Sequence, residues 1–75
     1  MAEPLRVGIA GLGFGATEFI PTLERMEEIN IVAGADLRPW ACEEFEKRYQ
    51  GIAYNSVEQL CAAPNVEAIW IAPPN

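Results

Sequence analysis

The sequence predicts an α/β fold: a parallel sheet with elements in the order β-α-β-α-β-α-β and a strand order of 3-2-1-4. Three observations carry that expectation. Nearly continuous apolar runs recur at Leu5 to Ala10, Ile29 to Ala35 and Val66 to Ala72, as strands buried on both faces require. Segments with apolar residues at helical spacing lie between them. The connections are short, and such alternation implies parallel strands joined by crossovers.

The first strand, Leu5 to Ala10, is interrupted only by Arg6. From about Gly15 to Glu27, Phe19, Ile20, Leu23 and Met26 recur at helical spacing. Pro21 inside that stretch predicts a kink, or a helix whose regular part begins late. Ile29 to Ala35, rich in β-branched residues, forms the second strand and ends at Asp36. Pro39 suits a first helical turn. Ala41, Cys42, Phe45 and Tyr49 line one face of the helix it opens, and Gly51 stops it. Ile52 to Tyr54 is a short third strand. Ser56 with Gln59 makes a capping-box pattern for a brief helix through Leu60 and Cys61. Pro64-Asn65 breaks that helix, and Val66 to Ala72 is the fourth strand.

Seventy-five residues with 51% hydrophobic side chains give at most one small domain. So apolar a short chain suggests strands covered on both faces, or a surface meant for something else to cover. The expectation is the front part of a longer protein, because Ala72-Pro73-Pro74-Asn75 ends just after a strand-like run and no closing helix follows. A net charge of -6 offers no basic stripe for nucleic acid. The acidic clusters Glu24, Glu27, Glu28 and Glu43, Glu44, Glu46 read as solvated helix faces. No apolar run approaches a membrane span, and a strand starting by Leu5 leaves no room for a signal peptide. A cytoplasmic protein with no membrane or nucleic-acid partner is therefore expected. Cys42 and Cys61 are far apart and histidine is absent, so no metal site is expected and both cysteines read as small apolar residues on helix faces.

A 3-2-1-4 order has a switch point between the first and fourth strands, where ligands bind outside the strands' carboxyl ends. That edge gathers three features. The first is Gly11-Leu12-Gly13-Phe14-Gly15-Ala16, a Gly-x-Gly-x-x-Ala turn directly after a strand. Gly11 permits the tight turn, Gly13 lets the backbone approach a pyrophosphate, and Ala16 lets the following helix pack closely. Gly15 adds room, and Phe14 either packs over a dinucleotide or is a partly exposed turn residue. The helix N-terminus would offer unpaired N–H groups to the phosphates.

The second feature is Asp36, about 25 residues beyond Gly11, where a carboxylate can accept bonds from both ribose hydroxyls. It would repel a 2′-phosphate by about 1–4 kcal/mol, which favours NAD over NADP. The alternative role is a helix cap before Pro39. Arg38 complicates the preference: it can stack on adenine, neutralise a 2′-phosphate, or be a solvated loop cation. The third feature is Ala72-Pro73-Pro74-Asn75 at the end of the fourth strand. Trp70 reads as core or sheet-face packing; Trp40 either borders an adenine pocket or is buried against the sheet edge or a partner.

Three segments together resemble the N-terminal Rossmann-like domain of the glucose–fructose oxidoreductase / inositol dehydrogenase / rhizopine catabolism (Gfo/Idh/MocA) family. They are Arg6-Val7-Gly8-Ile9-Ala10-Gly11-Leu12-Gly13, Val32-Ala33-Gly34-Ala35-Asp36 and Val66-Glu67-Ala68-Ile69-Trp70-Ile71-Ala72-Pro73-Pro74-Asn75. The third looks like that family's strand ending in Ala-Thr-Pro-Asn, beside the nicotinamide half of the cofactor. The resemblance implies an NAD(P)-dependent oxidoreductase moving a hydride to or from a secondary alcohol of a sugar, cyclitol or related ring. It implies NAD, with NADP possible, a small-molecule substrate and a homo-oligomer. It places Gly11, Leu12, Gly13, Phe14, Gly15, Ala16, Asp36, Arg38, Ala72, Pro73 and Asn75 at the cofactor and leaves no catalytic group in this chain. It makes residues 1–75 the N-terminal portion of a dinucleotide-binding domain in a larger two-domain protein, with a lysine in a Glu-Lys-Pro segment and residues of a catalytic α+β domain outside this chain supplying those groups. Ala10-Gly11-Leu12-Gly13 with Ile20-Pro21-Thr22-Leu23 also resembles the dihydrodiol dehydrogenase-like subgroup.

Two departures stand out: Pro73 replaces the usual threonine, and Phe19 lies near the place of a histidine often found on the first helix. Two alternatives remain. A non-catalytic dinucleotide-binding regulator would share all these features. An S-adenosylmethionine-dependent methyltransferase would fit Gly11-x-Gly13-x-Gly15 and Asp36. It would not fit Ile9, Ala72 or Asn75, which stand where an acidic residue, a catalytic Asp or Asn, and an aromatic are expected.

Overall fold

The structure is a computed structural model that describes residues 3–13, 20–49 and 51–71. Its elements are β1 (Leu5–Ala10), α1 (20–24), β2 (Ile29–Ala35), α2 (Pro39–Tyr49), β3 (Ile52–Tyr54), α3 (Val57–Cys61) and β4 (Ala68–Ile71). The four strands form one sheet in the order β3-β2-β1-β4, every pair parallel. Phe14 to Phe19 and Ala72 to Asn75 lie outside the described residues, and so do the expectations placed on them.

Apolar continuity explains why β1 and β2 are central. The last four residues of β1 are all buried, and so are the last three of β2. One face carries Val7, Ile9 and Ile31 against Ile20 and Leu23 of α1 and Ala41 and Phe45 of α2. The other carries Ala10, Ala33 and Ala35 against Leu60 of α3, which is completely buried. Two helices thus cover one face and one covers the other, which puts the change of side at the β1–β4 boundary.

Period-2 alternation alone would place Ile31 and Ala33 on one face. A register shift prevents this. Val7 pairs with Ile31 but Gly8 pairs with Ala33, so Val32 is an extra residue in β2. Such a bulge reverses the sidedness of the strand beyond it. Gly34 consequently faces Leu12 and Phe45, where a Cβ would come within 2.9 Å of Leu12 Cδ2.

Several expected boundaries move. The described helix at α1 stops at residue 24 rather than at Glu27. Arg25 and Met26 N–H then donate to the carbonyls three residues back, a tightened last turn that leaves Met26 41% exposed instead of in the core. β4 begins at Ala68, not Val66, because Glu67 is held outside the ladder. Its N–H donates to Arg6 O, its carboxylate accepts from Arg6 N–H, and Arg6 Nε donates to Asn65 O. The lone cation in an apolar strand is therefore the brace for the chain entering β4.

Ser56 caps α3 by accepting from Gln59 N–H at 3.1 Å, as the pattern predicts. The Gln59 side chain, however, reaches past Ser56 to accept from Asn55 N–H. Trp70 is 47% exposed, not core, because β4 is an edge strand. Cys61 is exposed rather than an apolar packing residue. Of the acidic residues, Glu24, Glu27, Glu28, Glu43 and Glu44 are exposed as expected, and Glu46 also accepts from Ala53 N–H on the β3 edge.

Gly51 lies between α2 and β3. Its constraint is a close approach: a Cβ there would meet Val32 O at 2.8 Å and Phe45 at 3.0 Å. A Cβ at Gly8 would meet side chains alone, Leu60 Cδ1 at 2.8 Å and Val66 Cγ1 at 3.2 Å. Backbone yields less than a side chain, so Gly51→Ala should destabilise the intact protein more than Gly8→Ala, with Gly8→Ala costing about 1–3 kcal/mol. Urea unfolding midpoints of the two variants check that order.

Candidate functional site

The carboxyl ends of β1 and β2 lie side by side, and the chain leaves β1 through a turn that only glycine makes easily. Gly11 has φ 95°, the left-handed region that other residues adopt at a cost. Its N–H donates to Ala35 O at 2.8 Å, which continues the ladder by one bond. Leu12 then turns inward and is 6% exposed, so its N–H is directed at the end of β2. There it meets Asp36, donating to Oδ2 at 2.9 Å.

Asp36 is the hub of this edge. Its backbone N–H donates to Tyr54 O, joining the end of β2 to β3. Its side chain is only 6% exposed. Oδ1 accepts from both the N–H and the Nε of Arg38 at 2.9 Å, and Oδ2 accepts from Arg38 Nη2 at 2.8 Å. The Arg38 guanidinium holds the carboxyl well below the usual carboxylate range, helped by the N–H groups of Arg38 and Leu12 and opposed by burial. Asp36 in turn raises Arg38. Asp36 does not cap α2. Its bond to the following chain stops at Arg38 N–H, and Arg38 O accepts from Ala41 and Cys42 N–H at the helix start.

Gly13 lies under the Arg38 side chain, where a Cβ would sit 2.7 Å from Nη2. Arg38 also lies over the Trp40 ring, 5.0 Å from its centroid. Trp40 is 55% exposed beside the Arg38 guanidinium rather than buried against the sheet. Behind Asp36, Cys42 Sγ contacts Asp36 O at 3.3 Å and Tyr54 O at 3.4 Å, and burial pushes its thiol pKa up. Cys42 is thus a weak donor to the strand ends, not merely an apolar filler. Among the described residues no cluster suited to a metal ion occurs, and no helix is long and apolar enough to cross a membrane.

An open groove of about 440 Å³ runs beside the hub, lined by Gly11, Ala35, Asp36, Leu37, Arg38, Ser56 and Val57. Leu37, Ser56 and Val57 were not among the site residues expected from the sequence. Their signal was topological, since Ser56 and Val57 follow the carboxyl end of β3 on the same edge as Asp36. Leu37 and Val57 are large apolar side chains left exposed, and with the apolar wall they suit the flat face of a heteroaromatic ring. The structure therefore brings Gly11, Leu12, Gly13, Asp36 and Arg38 together. Phe14, Gly15, Ala16, Ala72, Pro73 and Asn75 are outside the described residues. The described part of β4 ends at Ile71, paired with Ala10 one residue before the glycine turn.

Comparison with known proteins agrees with this geometry. The model of an oxidoreductase family with an NAD-binding Rossmann fold (GFO_IDH_MocA) matches residues 5–75. The chain is 29% identical over 72 residues to 1-carboxy-3-chloro-3,4-dihydroxycyclo hexa-1,5-diene dehydrogenase of Comamonas testosteroni, covering 95% of this chain and 18% of that protein. It is 27% identical to dTDP-3,4-didehydro-2,6-dideoxy-alpha-D-glucose 3-reductase of Saccharopolyspora spinosa, covering 99% and 23%. A 3-ketoreductase from Actinomadura kijaniata, crystallised with NADP and TDP-benzene, superposes with a TM-score of 0.81 at 27% identity, over 88% of this chain and 21% of that one. The chain spans about a fifth of the length of these proteins.

The depressed Asp36 pKa fixes a pH dependence. Asp36 stabilises the fold fully above the ordinary carboxylate pKa of about 4, and that contribution is lost as pH falls from there through the depressed folded value. The stability difference between wild type and Asp36→Asn should be constant above about pH 5 and shrink below about pH 4. Asp36→Ala should cost about 1–3 kcal/mol, because Leu12 N–H loses its partner. Thermal or urea unfolding across pH measures both.

Proposed function

Because the chain belongs to the Gfo/Idh/MocA oxidoreductase family, as its NAD-binding Rossmann portion, we propose that the Asp36 edge receives the adenosine half of a nicotinamide dinucleotide. The observation that carries this reading is the pairing of two unlike glycines with one carboxylate. Gly11 is required by its backbone. Gly13 is not: it has no positive φ, and a Cβ there would meet only the movable tip of Arg38. A glycine that the fold does not need, beside a carboxylate at the end of β2, fits a ligand that must pass close to the backbone.

In this reading Gly11, Leu12 and Gly13 border the pyrophosphate. Asp36 accepts from the ribose hydroxyls, and Leu37 and Val57 flank the adenine. Phe14, Gly15 and Ala16 continue the phosphate turn, and Ala72, Pro73 and Asn75 border the nicotinamide half. When bound, the cofactor supplies the hydride-accepting or hydride-donating carbon. The residues of this chain hold and orient it and carry no proton themselves. The whole protein would then oxidise or reduce a secondary alcohol of a sugar, cyclitol or related ring. The relatives support that substrate class, being a dihydroxycyclohexadiene dehydrogenase, a deoxysugar 3-reductase and a 3-ketoreductase. The catalytic groups would come from the rest of the protein, including its second domain.

Nicotinamide fluorescence titration of the intact protein tests the site. Gly13→Ala should leave the melting temperature nearly unchanged while weakening NADH binding roughly tenfold or more, the cost of an overpacked contact. Equal binding by wild type and Gly13→Ala would remove the pyrophosphate from this turn. Asp36→Ala should weaken NADH about tenfold, while NADPH loses little or gains.

A further inference from the structure

We propose that Glu46 and Gln59 guard the β3 edge: they occupy its outward N–H groups and keep the sheet from pairing with β3 of a second copy of this chain. Among the described strands, β3 ends the sheet and is bonded to β2 alone. Tyr54 O faces β2, where it accepts from Asp36 N–H. Backbone groups of successive strand residues face alternate sides, so those of Ala53 face away from β2. An open row of that kind is a template for another strand.

Both donors along this row are already taken. Ala53 N–H donates to Glu46 Oε2 at 3.0 Å, and Asn55 N–H donates to Gln59 Oε1 at 3.3 Å. The two acceptors come from different helices, α2 and α3, which pack on opposite faces of the sheet. The edge is therefore closed from both faces. Neither bond does much for the fold, since both are exposed and water can satisfy the same N–H groups. What the two side chains change is what another strand meets.

A second copy is the partner that fits, because identical edges pair about a two-fold axis. The pairing is then antiparallel, and centred on Ala53 the two alanines would exchange N–H and C=O bonds. Ile52, 51% exposed, would lose water contact in each copy and add apolar attraction. With Glu46 in place the same approach brings one carboxylate from each copy to the axis. Each loses its N–H partner there and repels the other.

The test compares the intact protein with its Glu46→Ala/Gln59→Ala variant. Gln59→Ala keeps the backbone N–H that Ser56 caps. Sedimentation velocity over rising concentration gives the mass, and thermal unfolding at low concentration gives the stability. The expected result is an unchanged melting temperature and a mass that climbs with concentration toward about twice the wild-type value. Adding Ile52→Lys puts a cation on the edge strand and should restore the wild-type mass. A variant whose mass stays at the wild-type value overturns the guarding role. Mass growth that Ile52→Lys leaves in place overturns it as well, since the contact would lie elsewhere. A lowered melting temperature does the same, because the two side chains would then serve the fold.

Discussion

The contact on which this edge of the molecule depends is the bond from Leu12 N–H to the Asp36 carboxylate. Two parallel strands end side by side, and among the described residues the last backbone bond between them is Gly11 N–H to Ala35 O. Past that point the chain after β1 must turn away without leaving its next N–H buried and unpaired, a cost of about 1–3 kcal/mol. Asp36 removes that cost, and at 6% exposure it can do so only as an ion held by several donors. Gly11 supplies the reversal and Leu12 the apolar anchor, while Arg38 neutralises the carboxylate. Three of the four residues that close the fold here, Gly11, Asp36 and Arg38, also line the open groove. Structure and site share one hydrogen-bond network here.

The sheet behind that rim is made thin on purpose. Small residues fill the ends of both central strands: Ala10 on β1, and Ala33, Gly34 and Ala35 on β2. Larger side chains there would push the covering elements away, and the close contacts at Gly8 and Gly34 show that the space is already used. Leu60 on one side and Leu12 with Phe45 on the other press directly onto backbone. Tight layering brings the turn after β1 within bonding distance of Asp36. The bulge at Val32 serves the same end, since it turns Gly34 toward Leu12 and lets two alanines meet Leu60.

Most of this architecture was readable in the sequence, and the part that was not has identifiable physical causes. The bounds of β1, β2 and β3 follow from apolar runs closed by Gly, Pro and Asp, and the strand order follows from short crossovers. The bulge left no trace, because Val32 and Ala33 suit either face. The end of α1 was misjudged because Met26 keeps helical spacing while the backbone has already tightened into i−3 bonds. The early start expected for β4 failed because Val66 is apolar, yet Glu67 is claimed by Arg6. At the site, the proximity of Asp36 to the glycine turn was deducible from topology. Its saturation by Arg38 was not, since a two-residue spacing says nothing about whether a guanidinium folds back. Leu37 and Val57 were overlooked for a related reason: exposed apolar residues look like noise until a groove is seen between them.

A net charge of -6 would seem to disfavour an anionic dinucleotide, and the geometry shows why it need not. Beyond roughly 8 Å surface charges are screened at physiological ionic strength, so only charges close to the groove weigh on it. What acts there is local: backbone N–H groups, the Asp36 carboxylate and the Arg38 guanidinium, all within bonding distance of one another. Asp36 and Arg38 together are neutral, so this pair presents no net repulsion to an anion. A neutral pair that can be split by a ligand answers to the ligand's chemistry rather than to its charge alone.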